Sequence, residues 1–345
     1  MRSKLLLPTL LSFVCLIATK AFSQQASADR TQFFNDTSTL EATLSTNLAK
    51  LLHQKKTGFE MEGTFISALP DSTVINDRVL LEVRGHFRKD NCYLPPIKIH
   101  FKYTKTSALH DLGALKLVSE CRTADINDQY LLKEFICYKM YNLITDYSFR
   151  VRLLNLHLVD SAGKKKPVTE HAFLIEDIKD VAKRNKCAEW KSTNLFDQDT
   201  DRDQMTLVAL FEYMIGNTDW GVPVNHNTRL VFSKIDSARR PLVVPYDFDF
   251  SGFVNTDYAV PDEKLSIQSV SERLYRGFPR TLEELNRALD AFRNQKENIY
   301  ALIKNFNLLT SKSKKEMTNY LDDFFEQINK PDKVKYVFID NARKN

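Results

Sequence analysis

Two short polar segments about 20 residues apart hold the residue types from which a metal–phosphate site is built. The first is a loop between two apolar runs and carries Asn217, Asp219, Asn225, His226 and Asn227. The second begins as a strand-like run, Pro241 to Val244, and delivers Asp247 and Asp249. Carboxylates and carboxamides offer the oxygen ligands that hard cations take, and Mg²⁺ typically binds through one or two carboxylates plus substrate phosphates. Phosphoryl transfer needs one carboxylate to receive the acceptor's proton, with a second carboxylate and an amide on the metal. Positioning and charge neutralisation then do most of the catalysis. Asp, Asn and Gly also fill ordinary turns. The conjunction of both segments, in this order, points to chemistry.

The two segments resemble the catalytic and metal-binding segments of the spore-coat protein H (CotH-like) kinase family, an atypical branch of the protein-kinase-like fold whose HipA-like relatives share the pattern. The resemblance rests on MIGNTDW followed by His226-Asn227, and on Tyr246-Asp247-Phe248-Asp249. It implies transfer of the γ-phosphoryl group of ATP with Mg²⁺ or Mn²⁺, to a protein or small-molecule acceptor. It makes Asp219 the catalytic base, Asp247 a metal ligand and Asp249 a second metal contact. A kinase catalytic loop places its Asn five residues after the Asp, where this chain has Val224. Asn225 and Asn227 lie six and eight residues on, and both are metal-ligand candidates. The altered spacing keeps a second class of function open, a non-catalytic kinase-fold binding module at the cell envelope. An enzyme of the same fold that transfers AMP is a third.

A site of this kind needs a cation on the phosphates and a helix carboxylate to hold it. Lys98 in PPIKIHF is the first candidate, Lys116 in ALKLV the alternative, and Glu134 the expected partner. Arg84-Gly85-His86 resembles the turn over the phosphates, and Glu176 closes a strand that resembles the one leading to the inter-lobe hinge. The hydrolase signatures GxSxG and HExxH are absent from the sequence.

The elements that must carry these residues read as an α+β chain, a two-lobed atypical protein-kinase-like fold. Strand-like runs cover residues 59–68, 78–88, 97–103 and 115–118, rich in β-branched and aromatic residues. A strand-then-helix pattern spans 40–54, a long helix 128–146, and two further strands 149–159 and 168–176 around a Gly163–Lys166 turn. Together these give an antiparallel sheet with one long helix, the small lobe, over residues 38–176. The large lobe, 177–345, is mostly helical, with helices at 178–185, 204–215, 269–276, 282–306 and 313–329. Asp197, Asp199, Asp201 and Asp203 have the wrong residues for a calcium loop, with Arg202 at its glycine position. They suit a helix start.

Residues 1–23 read as a signal peptide with cleavage after Ser23, because Arg2 and Lys4 precede an apolar run to Thr19 and Ala21-Phe22-Ser23 follows. Residues 24–37 read as a flexible polar start. The expected product is secreted or periplasmic, without a membrane span. Losing Arg2, Lys4 and Lys20 lowers the formal charge from +5 to +2, which gives no support for nucleic-acid binding. Of the cysteines beyond the leader, Cys92 and Cys121 flank strands expected to be neighbours and should pair, while Cys137 sits on a buried helix stripe and should be free.

Overall fold

The computed structural model describes residues 30–344 apart from 58, 70–71, 73, 86, 106–108 and 122–124. The leader expected over residues 1–23 therefore lies outside the described residues, as does His86. The first half runs α1 (Arg30–Asn35), β1 (Leu40–Thr46), α2 (Leu48–Gln54), β2 (Glu60–Ala68), β3 (Val74–Val83), α3 (Phe87–Asn91), β4 (Ile97–His100), β5 (Ala114–Ser119), α4 (Asp125–Ile144), β6 (Val151–Asp160) and β7 (Val168–Ile175).

The strands form a closed barrel in the order β1-β2-β3-β4-β5-β7-β6. This corrects the expectation of an antiparallel sheet. Every neighbouring pair is antiparallel except β1 with β6, which run parallel from Leu40 opposite Leu154 to Thr46 opposite Asp160 and close the ring. Alternation places Leu44, Phe65, Val79, Leu81, Ile99, Leu154 and Leu156 in one fully buried cluster. Small barrels fill their interior with side chains in this way.

Two local readings also change. The strand expected through Arg88 stops at Val83, and α3 follows the turn at Gly85, whose φ of +81° suits glycine. Within the segment read as a flexible start, residues 30–35 are helical, and Phe33 and Phe34 are buried. The buried Arg152 guanidinium ties this segment down by donating to Phe33 O (3.0 Å), Asp36 O (3.1 Å) and the Asp36 carboxylate (2.9 Å).

A disulfide joins Cys92 to Cys121, the expected pair, while Cys137 and Cys187 are buried free thiols. The bridge spans 29 residues. In the chain-entropy model its loss costs about 3–4 kcal/mol. Replacing both cysteines by Ser should lower the unfolding free energy by that amount in urea titrations, and an unchanged midpoint would remove the bridge from the stability account.

The second half contains α5 (Ile178–Arg184), β8 (Cys187–Trp190), α6 (Arg202–Ile215), β9 (Thr228–Ser233), β10 (Leu242–Pro245), α7 (Leu282–Asn305) and α8 (Ser311–Ile328). β8, β9 and β10 make a small antiparallel sheet in the order β10-β9-β8. Residues 269–276 are not helical. The Glu272 carboxylate accepts from Gln268 N and Ser269 N in a local turn, and Arg273 and Arg276 are drawn onto the carbonyls of Met214, Thr218 and Trp220. Asp201 caps α6 by accepting from Gln204 N at 2.9 Å. Among the described residues no helix is long and apolar enough to cross a membrane.

A second core joins α4, α6, α7 and α8 through Tyr141, Phe211, Phe248, Phe292 and Phe324. Helix α6 ends at Gly216, whose φ is +66° and where a Cβ would lie 2.0 Å from Tyr320 Oη. Gly216→Ala therefore combines left-handed strain with overpacking, and should cost about 1–3 kcal/mol. A chemical-denaturation midpoint equal to wild type would show that the helix end relaxes freely.

Candidate active site

The reversal at Gly216 puts the first polar segment directly after the α6 terminus. Asn217 Oδ1 accepts from Asp219 N at 3.0 Å, and the Trp220 indole donates to Asn217 O at 3.2 Å, so the loop is pinned at its start. The Asp219 carboxylate is reached by two later side chains. His226 Nε2 lies 2.7 Å from Oδ1, and Asn227 Nδ2 donates to Oδ2 at 2.9 Å and to the Asp219 carbonyl at 2.7 Å. The bond to Asp219 raises the His226 pKa above its ordinary value.

Asn227 also joins the two segments. Its backbone carbonyl accepts from Tyr246 N at 2.9 Å, next to Asp247. Tyr246 is held by cations, with Lys116 Nζ 3.9 Å and the Arg229 guanidinium carbon 4.9 Å from its ring centroid. Tyr138 Oη of α4 accepts from Asp247 N at 2.9 Å. Asp249 is buried, and Tyr258 Oη donates to its Oδ2 at 2.9 Å. Burial, and then the charge of Asp247, push the Asp249 carboxyl up to about 7. Glu134 on α4 is raised for the same reasons, burial first and then Asp249 and Asp247, and its Oε1 is buried without a hydrogen-bond partner.

Three cations face these acids. Arg84 ends the β3 segment and Arg88 lies on α3, and both have a buried Nε–H with no partner. Burial opposes the charge of Arg84, and Asp247 favours it. For Arg88 burial also opposes, but Tyr258, Asp249, Glu134 and Asp247 outweigh it and raise the pKa. Lys116 is lowered to about 7 by burial and by Arg84 and Arg229.

Other expected members are placed elsewhere. Lys98 sits opposite Lys116 in register, but its ion partner is Glu82 at 3.7 Å and not Glu134. His100 also reaches Glu82, at 2.8 Å, so within the Glu60–Glu82–His100 cluster the Glu82 carboxylate already has two partners. Glu176 is buried and structural, because Arg184 donates to both of its oxygens (3.1 and 3.2 Å) and Arg150 N to one at 2.9 Å. Asn225 has its Oδ1 buried without a partner, and its carbonyl accepts from Arg229 at 3.1 Å.

Sequence reasoning missed Arg88, Tyr138 and Tyr258. Arg88 was hidden inside an expected strand, Tyr138 read as part of the buried stripe of α4, and Tyr258 lies in a loop without a motif. Backbone strain concentrates in the same place. Val224, Asn225, Asn227 and Asp247 have φ of +58°, +53°, +48° and +69°. Side chains rarely adopt such angles, and they persist where surrounding contacts impose them, often at functional sites.

The donor set fits a divalent cation with a phosphate chain. Burial first, and then the neighbouring Asp247 charge, push the Asp249 carboxyl toward neutrality, and a cation between the two carboxylates would favour their charged forms. The unpartnered Nε–H groups of Arg84 and Arg88 are donors of the type that binds phosphate oxygens.

No family model matches the sequence. No curated protein matches it either. Among solved structures, the crystal structure of a Helicobacter pylori proinflammatory kinase, CtkA, aligns over 80% of this chain and 88% of that chain, with TM-score 0.34 and 9% identity. Likeness at that level transfers nothing about activity.

Proposed function

We propose that this chain is an atypical, CotH-like kinase with a two-lobed kinase-like architecture, transferring the γ-phosphoryl group of ATP. The observation that carries this reading is the double role of Asn227, whose side chain holds the Asp219 carboxylate while its backbone holds the strap that bears Asp247 and Asp249. One residue thus couples the base to the metal ligands. Asp247, Asp249 and Asn227 would hold Mg²⁺ or Mn²⁺. The Nδ2 of Asn227 is committed to Asp219, which leaves Oδ1 as its ligand atom and favours it over Asn225. Bound there, the cation supplies neutralisation of the phosphate charge.

Asp219 receives the hydroxyl proton of the acceptor as that oxygen bonds to the γ-phosphorus and the bond to the β–γ bridging oxygen breaks, releasing ADP. Arg84, Arg88 and Lys116 hold the phosphates in place of Lys98. The disulfide and the leader-like start support export to an oxidising compartment.

Incubation with γ-labelled and, separately, α-labelled ATP tests the reading. Label from the γ position alone on an acceptor supports it. Label from the α position identifies AMP transfer instead, and no transfer with intact nucleotide binding identifies a binding module. Mg-ATP at 100 times its dissociation constant should stabilise the fold by about 2.7 kcal/mol. At roughly 2–4 °C per kcal/mol, Tm should rise by several degrees. Asp247→Ala should erase the rise and Asp219→Ala should keep it, whereas Asn227→Ala should weaken it more than Asn225→Ala. A flat melting profile with both Mg²⁺ and Mn²⁺ would remove nucleotide from the account.

A further inference from the structure

A cavity of about 200 Å³ opens between the second half of α4, the turn that leads into β6 and the ends of α1 and α5. None of its lining residues belongs to the Asp219–Asp247 site. Three cations line it, Lys139, Arg150 and Arg184, against one carboxylate, Asp146, and the buried Phe34 supplies an apolar wall.

The acids around the cavity are spent on other cations. Arg184 is fully occupied, donating to both Glu176 oxygens (3.1 and 3.2 Å), to the Asp146 carbonyl at 2.6 Å and to the Ser148 carbonyl. Asp36, just beyond α1, is paired with Arg152 at 2.9 Å. Lys139 and the Arg150 guanidinium are left over. Both side chains are half-buried. Among the described residues neither donates a hydrogen bond or lies within ion-pair distance of a carboxylate, Asp146 included, and Arg150 Nη1 is buried without a partner. Their charges act on each other instead, since burial, and then Arg150 and Arg152, lower the Lys139 pKa. Positive charge suits the C-terminal end of a helix such as α4, but neither side chain donates to its carbonyls. Two uncompensated cations on one half-buried cavity call for a ligand that brings negative charge and acceptor oxygens.

The size narrows the choice. A volume of about 200 Å³ falls below the roughly 300–1,000 Å³ of sites that enclose a drug-sized molecule, which leaves out a whole nucleotide and admits a single oxyanion. A phosphate group carries up to two negative charges for two cations, and its oxygens match the fork of an arginine. We propose that the cavity binds one phosphate group, held by Lys139 and Arg150. The group belongs either to free phosphate or to a phosphorylated side chain of a peptide, and the chemistry of recognition is the same.

Isothermal titration of the full chain tests this with inorganic phosphate, a short phosphoserine peptide and the same peptide unphosphorylated. Saturable binding is expected for the first two and not for the third, weakening with added salt. Lys139→Gln and Arg150→Gln should each weaken it by about tenfold or more, the worth of one charge-assisted hydrogen bond. Arg88→Gln, in the other cluster of cations, should leave it unchanged. Asp146→Asn removes the one lining carboxylate and should tighten it. A phosphopeptide that binds more tightly than inorganic phosphate assigns the group to a side chain, and the reverse order assigns it to free phosphate. In phosphate-free buffer each Gln variant loses a repulsion and should melt no lower than wild type, which separates lost affinity from lost folding. Should one Gln variant fail to fold, the other and Asp146→Asn carry the test. No saturable binding of phosphate or phosphopeptide up to about 10 mM, weaker than a specific site of this kind, would overturn the proposal. So would equal binding of the unphosphorylated peptide, or binding that Arg88→Gln abolishes and both cavity variants leave intact. None of these readouts involves ATP, so the result stands apart from the kinase reading.

Discussion

Asp219→Ala is expected to lower phosphoryl transfer by about 10²–10⁴-fold, the usual contribution of a positioned general base. Nucleotide binding should be largely spared, because the carboxylate acts on the acceptor hydroxyl. Two partners of Asp219 lose an anchor at the same time, His226 at 2.7 Å and Asn227 at 2.9 Å. Asp219→Asn separates these effects, since the amide oxygen still accepts from Asn227 but no longer takes a proton. Single-turnover transfer from γ-labelled ATP should therefore be slow in both variants. A rate near wild type in either one would mean that Asp219 is not the base.

The second large effect lies one turn before the loop. Glu212 of α6 is 1% exposed, and neither carboxylate oxygen has a hydrogen-bond partner, although the Asn217 side chain lies close enough to favour its charge. Burial pushes its pKa up to about 8, with a further rise from Asp219. A raised folded-state pKa means that the native state holds the proton while the unfolded chain has released it. Stability from this group is present below about pH 4.5 and is lost as pH rises through about 8. At about 1.4 kcal/mol per pH unit, the loss is on the order of 4–5 kcal/mol by pH 9. Glu170 and Asp249 are shifted in the same direction and add to it. Glu212→Gln should therefore be nearly neutral at pH 5 and clearly stabilising at pH 9, read from urea midpoints across that range. A variant that tracks wild type at every pH would show that Glu212 is ionised in the native state.

Much of the barrel was legible as strands, because a half-buried strand alternates and residues such as Phe65, Leu81, Ile99 and Leu117 mark its inward face. Closure was not legible. Period two reports which face is buried and not which strand lies beside it, and the parallel partners Leu40 and Leu154 are far apart in sequence. Lys98 shows the same limit from the other side. Both Lys98 and Lys116 sit among alternating apolar residues and lie opposite each other in register, but only the docked Tyr246 shows which of them faces the Asp247 strap. The acidic and amide residues of the site were legible because their types are confined to two segments. Arg84 and Arg88 depend on the turn at Gly85, and their role follows from where that turn points them.

The parallel pairing of β1 with β6 has a consequence for how the chain reaches its fold. As the polypeptide emerges, β1 pairs with β2 early, but its other edge has no partner until Val151–Asp160 has been made. Ring closure is then among the most non-local events in the molecule, and such contacts slow folding because loop entropy is lost before they form. During that interval a strand edge beside Leu40, Ala42 and Leu44 is open to a second nascent chain. The growing polypeptide is therefore most prone to strand-mediated association before β6 arrives, and a truncation ending at Ile144 should stay aggregation-prone however well its helices form.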